Sequence, residues 1–478
     1  MNPNAGSARA SDVVDPARLV AFHTLTAVEE DEAYANLVLP HLVSDAGLSG
    51  RDAALATELG YGTLRATGTI DEVLRICSTR PLRDIEIGVL NVLRLGAYQL
   101  LKTRIPSHAA VATSVDLARA TGNTRAAGFV NAVLRKVSAR SFDDWCERIA
   151  RDASPLGRIA IRYSHPGWIV GAFAAALSAG DGTVSGPSPL DSTELDSTEL
   201  DITEIEAALA ADDERPETHL VAWPGRISRA ELVVESAGQP GPFSPYAVRL
   251  VDGGEPGALS AVRDRRAGVQ DEGSQLCALA LAGIGVEGPD ERWLDLCAGP
   301  GGKAALLAAL ADDRGARLTA NELHPHRAEL ISRATAGWDV EVTVGDARRL
   351  EATPTYDRVL LDAPCTGLGA LRRRPEARWR KSPDDQAGLV RLQGELLDAA
   401  VRLVRPGGVV GYVTCSPHLA ETREQIAALL QRRPDLELLD ARPSFVGVSG
   451  LDDSPMVQLW PHRQGTDAMF FAALRRTG

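Results

Sequence analysis

Two cysteines stand where a sheet would present them to a ligand. Asp362-Ala363-Pro364-Cys365 closes the apolar run DRVLL, and Thr414-Cys415-Ser416-Pro417 closes GVVGYV. If these runs are neighbouring strands, about 4.8 Å apart, two thiols and a carboxylate converge on one rim. A thiolate is a nucleophile for electrophilic carbon. One reaction that needs this set is methyl transfer to carbon 5 of a cytosine, a poor nucleophile until a thiolate has added to carbon 6. Protonation or hydrogen bonding at N3 by a strand-end acid such as Asp362 assists the addition. The carbon-5 proton must then leave and the thiol be eliminated, a release step that a second cysteine can serve. A metal reading of Cys297, Cys365 and Cys415 lacks a fourth ligand. Cys77, Cys146 and Cys277 read as small buried hydrophobes.

A ligand loop precedes the cysteines. The run RWLDLC leads into Cys297-Ala298-Gly299-Pro300-Gly301-Gly302-Lys303, where glycines permit a tight turn and close approach of backbone N–H groups to a ligand. The spacing is not that of a triphosphate-binding loop. The next strand ends in Glu322, about 20 residues on, where a carboxylate can accept both hydroxyls of a ribose. A third strand ends in Asp346, suited to the amino group of an adenine. A dinucleotide would fit the loop and the first acid equally well, but the two cysteine motifs point away from hydride chemistry.

The elements that position these residues follow from periodicity. From about Gly268, short β-rich runs alternate with helical segments, which predicts a parallel, doubly wound α/β sheet with ligands at the carboxyl ends of its strands. Residues 16–140 show apolar positions at three- and four-residue intervals, as in IEIGVLNVLRLGAYQLL, and read as an all-α domain. Between them, residues 141–262 read as a small α+β domain carrying an acidic low-complexity insertion at about 181–216, and residues 1–15 as a disordered tail. The insertion holds the repeat LDSTE, LDSTE, LDITE (190–204), expected to be solvated and unfolded.

Of the net charge of −13, −10 lies between Leu190 and Glu214, so the rest of the chain carries only −3. Arg372, Arg373, Arg374, Arg378, Arg380 and Lys381 cluster around Trp379, a combination of phosphate-binding charge and a ring for base stacking. RNA is therefore an admissible partner despite the overall acidity. The N-terminus lacks the apolar core of a signal peptide, and no stretch approaches a membrane span. The expectation is a cytoplasmic chain with reduced cysteines, no membrane association and no structural metal.

LDLCAGPGGK, LLDAPCTGLGALRRRPEARWR and GYVTCSP resemble the cofactor, Pro-Cys and Thr-Cys motifs of bacterial 16S ribosomal RNA (cytosine-5) methyltransferases of the Sun/Fmu type. AYANLVLP, GLSGRDAALATELGYGTLR and GFVNAVLRKV resemble the helical NusB-like domain fused to these enzymes, and VQDEGSQ (Val269 to Gln275) is similar to the entry of their catalytic domain. The resemblance spans roughly residues 16–475, apart from the acidic insertion. It implies a Rossmann-like catalytic domain at 263–478 that binds S-adenosylmethionine, with an RNA substrate and a monomeric enzyme. By its motifs Cys415 is the nucleophile, Cys365 assists release, and Cys297 to Lys303, Glu322, Asp346 and Asp362 contact the cofactor. Two positions depart from the pattern: Glu421-Thr422-Arg423-Glu424 lacks the usual Asn, and Asp467-Ala468 stands where Asp-Gly is usual. The same chemistry on transfer RNA or large-subunit RNA stays open. A non-catalytic RNA-binding assembly or antitermination factor is disfavoured by the intact Lys303, Asp362, Cys365 and Cys415.

Overall fold

The computed structural model describes residues 14–179, 201–251, 254–350 and 355–478, and the chain divides into two compact units. One is Met1–Val170 together with Leu371–Arg380; the other is Gly171–Ala370 together with Lys381–Gly478.

The first unit is helical. It opens with Pro16–Glu30, where the Asp15 carboxylate accepts from the Arg18 amide at 3.0 Å and proline occupies the first turn, two start signals acting together. Ala35–Asp45, Gly50–Cys77, Ile87–Lys102, Ser107–Ala120, Ala127–Val137, Phe142–Ile149 and Pro155–Arg162 follow. Leu59, Ile70, Val73 and Leu74 of Gly50–Cys77 recur at helical spacing and pack with Phe22, Leu25, Val92, Leu93, Val130 and Leu134. Each such side chain contributes roughly 1.5–3 kcal/mol of transfer free energy, so this core is built from the periodic positions visible in the sequence.

The second unit holds two sheets. The smaller comprises β1 (Thr218–Ala222), β2 (Gln239–Pro240), β3 (Ala247–Leu250) and β4 (Ala267–Val269), antiparallel in the order β2-β3-β1-β4. Its last strand lies beyond residue 262, because Leu220 pairs with Val269 and Ala222 with Ala267. The larger sheet comprises β5 (Arg292–Asp295), β6 (Arg317–Glu322), β7 (Val340–Val344), β8 (Tyr356–Asp362), β9 (Val404–Thr414), β10 (Leu436–Leu439), β11 (Val457–Gln458) and β12 (Phe470–Arg476). Its order is β7-β6-β5-β8-β9-β12-β10, with β11 attached to β12. The pairings from β7 to β9 are parallel, and β12 runs antiparallel between β9 and β10. Strand order therefore reverses between β5 and β8, which is where doubly wound sheets bind ligands. Alternate residues feed opposite faces: Leu360, Val413 and Phe471 pack with Leu276 and Leu306, whereas Leu361, Tyr412 and Phe470 pack with Leu397 and Ile426.

Two expectations change. The acidic stretch is not unfolded from Asp201 onward, although residues 181–200, with the first two repeats, lie outside the described residues, as does most of the expected N-terminal tail. Ile202–Asp213 is a helix capped by Asp201, which accepts from Thr203 N at 3.0 Å and Glu204 N at 3.1 Å. It buries Ile205, Ala208 and Leu209, and Glu204 pairs with Arg463 and His462. Three apolar residues at helical spacing and a cationic partner distant in sequence outweigh the acidic composition.

The second change concerns the basic cluster, whose residues 371–380 belong to the helical unit and turn much of their charge inward. Arg372 and Arg378 are buried. Arg378 Nη1 donates to the carbonyls of Arg65 (3.1 Å), Tyr163 (3.3 Å) and Ser164 (3.4 Å). Arg380 donates to the carbonyls of Val28 (2.5 Å), Ala33 (2.7 Å) and Glu32 (2.9 Å), at the end of the first helix, where a cation also suits the helix dipole. Arg374 and Trp379 remain exposed. A charge count cannot tell an arginine that satisfies carbonyls from one that meets phosphate, because both use the same five donors. Arg378→Met should strand those carbonyls and cost about 2–4 kcal/mol in urea denaturation of the full chain. Unchanged stability with weakened RNA binding would return Arg378 to the RNA surface.

Candidate active site

The turn after β5 is shaped by its glycines. Gly301 has φ 113°, a conformation that disfavours side chains, and a Cβ on Gly299 would lie 2.0 Å from Glu322 Oε2. Helix Gly302–Asp312 then begins, pointing its free amides at the loop. Asn321 laces the strand ends together: its Nδ2 donates to Leu296 O and Gly345 O, both at 3.1 Å. Glu322 is buried at the end of β6 and accepts from the His324 amide at 3.0 Å, while Arg327 donates to Gly299 O at 2.8 Å and stands 3.5 Å from Glu322. Asp346 follows β7 and pairs with Arg348 at 2.7 Å, whose hydrogen bonds hold its carboxyl down at about 2. Cys297 is half-buried beside the loop, and burial raises its thiol above the ordinary range.

Asp295 is a site residue that the sequence reading passed over. It ends β5 and is fully buried, and apart from the backbone N–H of Cys297 its carboxylate has no hydrogen-bond partner among the described residues. Burial, and after it the charge of Asp362, push its carboxyl up to about 8. Gln270, buried and close to where a Cβ on Gly302 would sit, leaves its side-chain carbonyl oxygen unpartnered. Buried acceptors short of donors at a strand end are costly unless a ligand supplies the donor. An ammonium group would suit Asp295.

The cysteines meet as their motifs anticipated. Parallel pairing of β8 with β9 sets Asp362 opposite Val413, and the chains leave the sheet side by side. Cys365 Sγ and Cys415 Sγ are 3.4 Å apart, both half-buried. Asp362 accepts from Lys303 Nζ at 2.9 Å. Burial pulls the Lys303 ammonium down, but Asp362 and Cys277 more than offset this, so it is held above the ordinary lysine range. The loop after Cys365 folds back over the second cysteine, with Gly369 N donating to Cys415 O at 2.9 Å and Ala468 N to Gly369 O at 2.8 Å. Ala468, noted above as a departure from Asp-Gly, thus contributes a backbone contact to the rim.

Residues 286–475 match the family described as 16S rRNA methyltransferase RsmB/F, and residues 15–139 match the NusB family. A putative methyltransferase of Mycobacterium tuberculosis is 52% identical over 97% of both chains. A probable ribosomal RNA small subunit methyltransferase B of Bacillus subtilis is 32% identical, covering 96% of this chain and 99% of its own. The chain belongs to the RsmB/F methyltransferase family. RsmB/F proteins are RNA methyltransferases that use S-adenosylmethionine. The crystal structure of PH0851 shares the fold, with a TM-score of 0.77 at 21% identity over 97% of this chain and 99% of that one. The rim fits the RsmB/F cofactor, since the buried Asp295 carboxylate, with no side-chain donor of its own, has acceptor capacity left for the amino group of a methionine, and a glycine turn at a helix N-terminus leaves backbone room beside it.

Asp295 also carries a pH signature. An aspartate whose pKa rises on folding contributes stability present below its unfolded value, near 3.9, and lost as pH climbs through about 8. Without cofactor, Asp295→Asn should therefore gain on wild type between pH 5 and pH 8 in urea denaturation, by on the order of a few kcal/mol. A constant difference across that range would mean that Asp295 is ionised throughout.

Proposed function

We propose that this enzyme methylates carbon 5 of a cytosine in 16S ribosomal RNA in the cytoplasm, through a covalent adduct between Cys415 and carbon 6. The observation that carries the reading is the pair of sulfurs 3.4 Å apart, beside the Asp362–Lys303 pair at the switch point of the sheet. Hydride or simple amine chemistry has no use for two thiols in that position. The names borne by relatives such as the Bacillus subtilis protein support the small subunit as target, and the NusB-like region, assigned to residues 16–140, supports RNA binding beyond the target base.

In this reading Asp295 takes the amino group of the cofactor, Glu322 its ribose hydroxyls, Asp346 its adenine, and the Cys297 to Lys303 loop lines the rest. S-adenosylmethionine, when bound, supplies a methyl group made electrophilic by a positively charged sulfur. Cys415 Sγ forms a bond to carbon 6 of the flipped-out base, and the ring electrons move to make carbon 5 the nucleophile. N3, protonated as the sulfur adds and deprotonated again as it leaves, donates to the Asp362 carboxylate, which Lys303 holds in place. After carbon 5 has gained its methyl group, its proton leaves to solvent water, and Cys365 stays protonated for the release that follows. The electrons of that C–H bond re-form the 5,6 double bond, the carbon–sulfur bond breaks, and Cys415 leaves with the pair. The short distance between the sulfurs lets the departing thiolate recover a proton from Cys365.

Small-subunit RNA carrying tritium at cytosine carbon 5 should release the label with wild type and cofactor, and lose that release in Cys415→Ala. Cys365→Ala should instead accumulate a protein–RNA adduct that survives denaturant, with turnover lowered at least ~100-fold. Label release that survives Cys415→Ala sinks the covalent mechanism. A folded, cofactor-binding wild type inert on both naked RNA and immature subunits sinks the 16S assignment.

A further inference from the structure

We infer that Glu421 is a positioning residue that fixes the Cys365 sulfur against the Cys415 sulfur, and thereby governs resolution of the covalent adduct. The inference rests on the cysteine roles proposed above. Glu421 is fully buried, in the turn Leu419–Glu421 that follows the Thr-Cys motif. Its Oε1 accepts from Thr366 N at 2.8 Å and from Gln393 Nε2 at 3.1 Å. Its Oε2 accepts from Ser416 Oγ at 2.6 Å and from Thr366 Oγ1 in a shorter contact. Thr366 adjoins Cys365 and Ser416 adjoins Cys415, so one carboxylate ties both cysteine loops together, and the two hydroxyls also meet each other at 3.2 Å.

The surroundings make this clamp stiff. Gln393, on helix Pro383–Leu403, bonds Glu421 and also donates to Pro364 O at 2.9 Å, immediately before Cys365. Tyr412, in β9, donates through its hydroxyl to Glu421 O at 2.8 Å and so holds the clamp against the sheet. Four donors converge on one side chain, and an ionised carboxylate has the acceptor capacity to take them all. A glutamine would offer one carbonyl oxygen and turn a donating NH2 toward groups that already donate. The charge has a second effect. Cys415, burial and then the Glu421 carboxylate all raise the Cys365 thiol well above its ordinary range, so Cys365 keeps its proton until the adduct must be resolved.

A role confined to general rigidity would lower adduct formation and adduct release together, whereas a clamp on Cys365 separates them. The test compares wild type, Cys365→Ala, Glu421→Gln and Thr366→Val, the last keeping the side-chain shape and deleting one hydroxyl donor. Each is checked for S-adenosylmethionine affinity by calorimetry and then assayed on small-subunit RNA for turnover and denaturant-stable adduct. Glu421→Gln should retain cofactor affinity within about twofold, lose about tenfold or more in kcat, and accumulate adduct as Cys365→Ala does. Thr366→Val should do the same to a smaller degree, and carries the test if Glu421→Gln does not fold. Full turnover in a folded variant, or adduct falling in parallel with turnover, would overturn the role. If wild type gives no product and Cys365→Ala no adduct, the proposed chemistry fails and the inference falls with it; adduct in Cys365→Ala without any in the clamp variants defeats the clamp alone.

Discussion

The parallel pairing of β8 with β9 is the constraint on which the site depends. Arg358 lies opposite Val409 and Asp362 opposite Val413, and this register brings two chemically unrelated loops out of the sheet side by side. A slip by one residue would turn the alternating side chains of a strand to the wrong face. Here both faces are buried, Val413 in one core and Tyr412 in the other, so a slip would disturb both. The cores thus hold the cysteines in register, with Cys415 packed against the edge of one of them.

On that frame the polar groups near the rim divide into satisfied and unsatisfied. Glu421 has four donors for its carboxylate, and Asp362 has the Lys303 ammonium. Asp295 has no side-chain donor. A buried network that is complete rigidifies its surroundings, whereas an incomplete one costs stability until something completes it. The division follows the proposed roles: the groups proposed to hold the cysteines and the target base are completed by the protein itself, and the group short of a donor lies where a cationic ligand would bring one.

The motifs made most of the candidate site legible, because strand-end residues announce themselves by where apolar runs stop. Asp362, Cys365 and Cys415 could be placed on one rim from that fact alone, and the glycines of the loop after β5 from the turn they permit. Asp295 went unread because a carboxylate inside a motif looks the same whether it is paired or orphaned, and only burial tells them apart. Glu421 stood in view as part of a motif that lacks its usual Asn, yet its importance depends on Thr366 and Gln393, respectively 55 and 28 residues away. In the fold, β10 and β12 were not anticipated, because their antiparallel pairing at the far edge of the sheet is decided by tertiary partners. The basic cluster and the acidic helix failed for one reason, since composition reports charge but not whether a carbonyl or an opposite charge will be there to take it up.

In the proposed mechanism two cysteines with the same intrinsic chemistry take different parts in one reaction, and the charges around them differ accordingly. Lys303 lies within electrostatic reach of Cys415, and a cation favours the thiolate that attack requires. The Glu421 carboxylate acts on Cys365, and an anion favours the thiol. The sulfurs are close enough to share a proton, so loss of the proton from one makes its loss from the other harder. A lysine from the loop after β5 and a glutamate from the turn after β9 therefore bias a nearly symmetric pair in opposite directions. The Asp362 carboxylate, placed beside Lys303, keeps that cation from acting as a free charge and orients it at the rim. Asymmetry of role follows from the order in which these loops leave the sheet, which returns the chemistry to the register of β8 on β9.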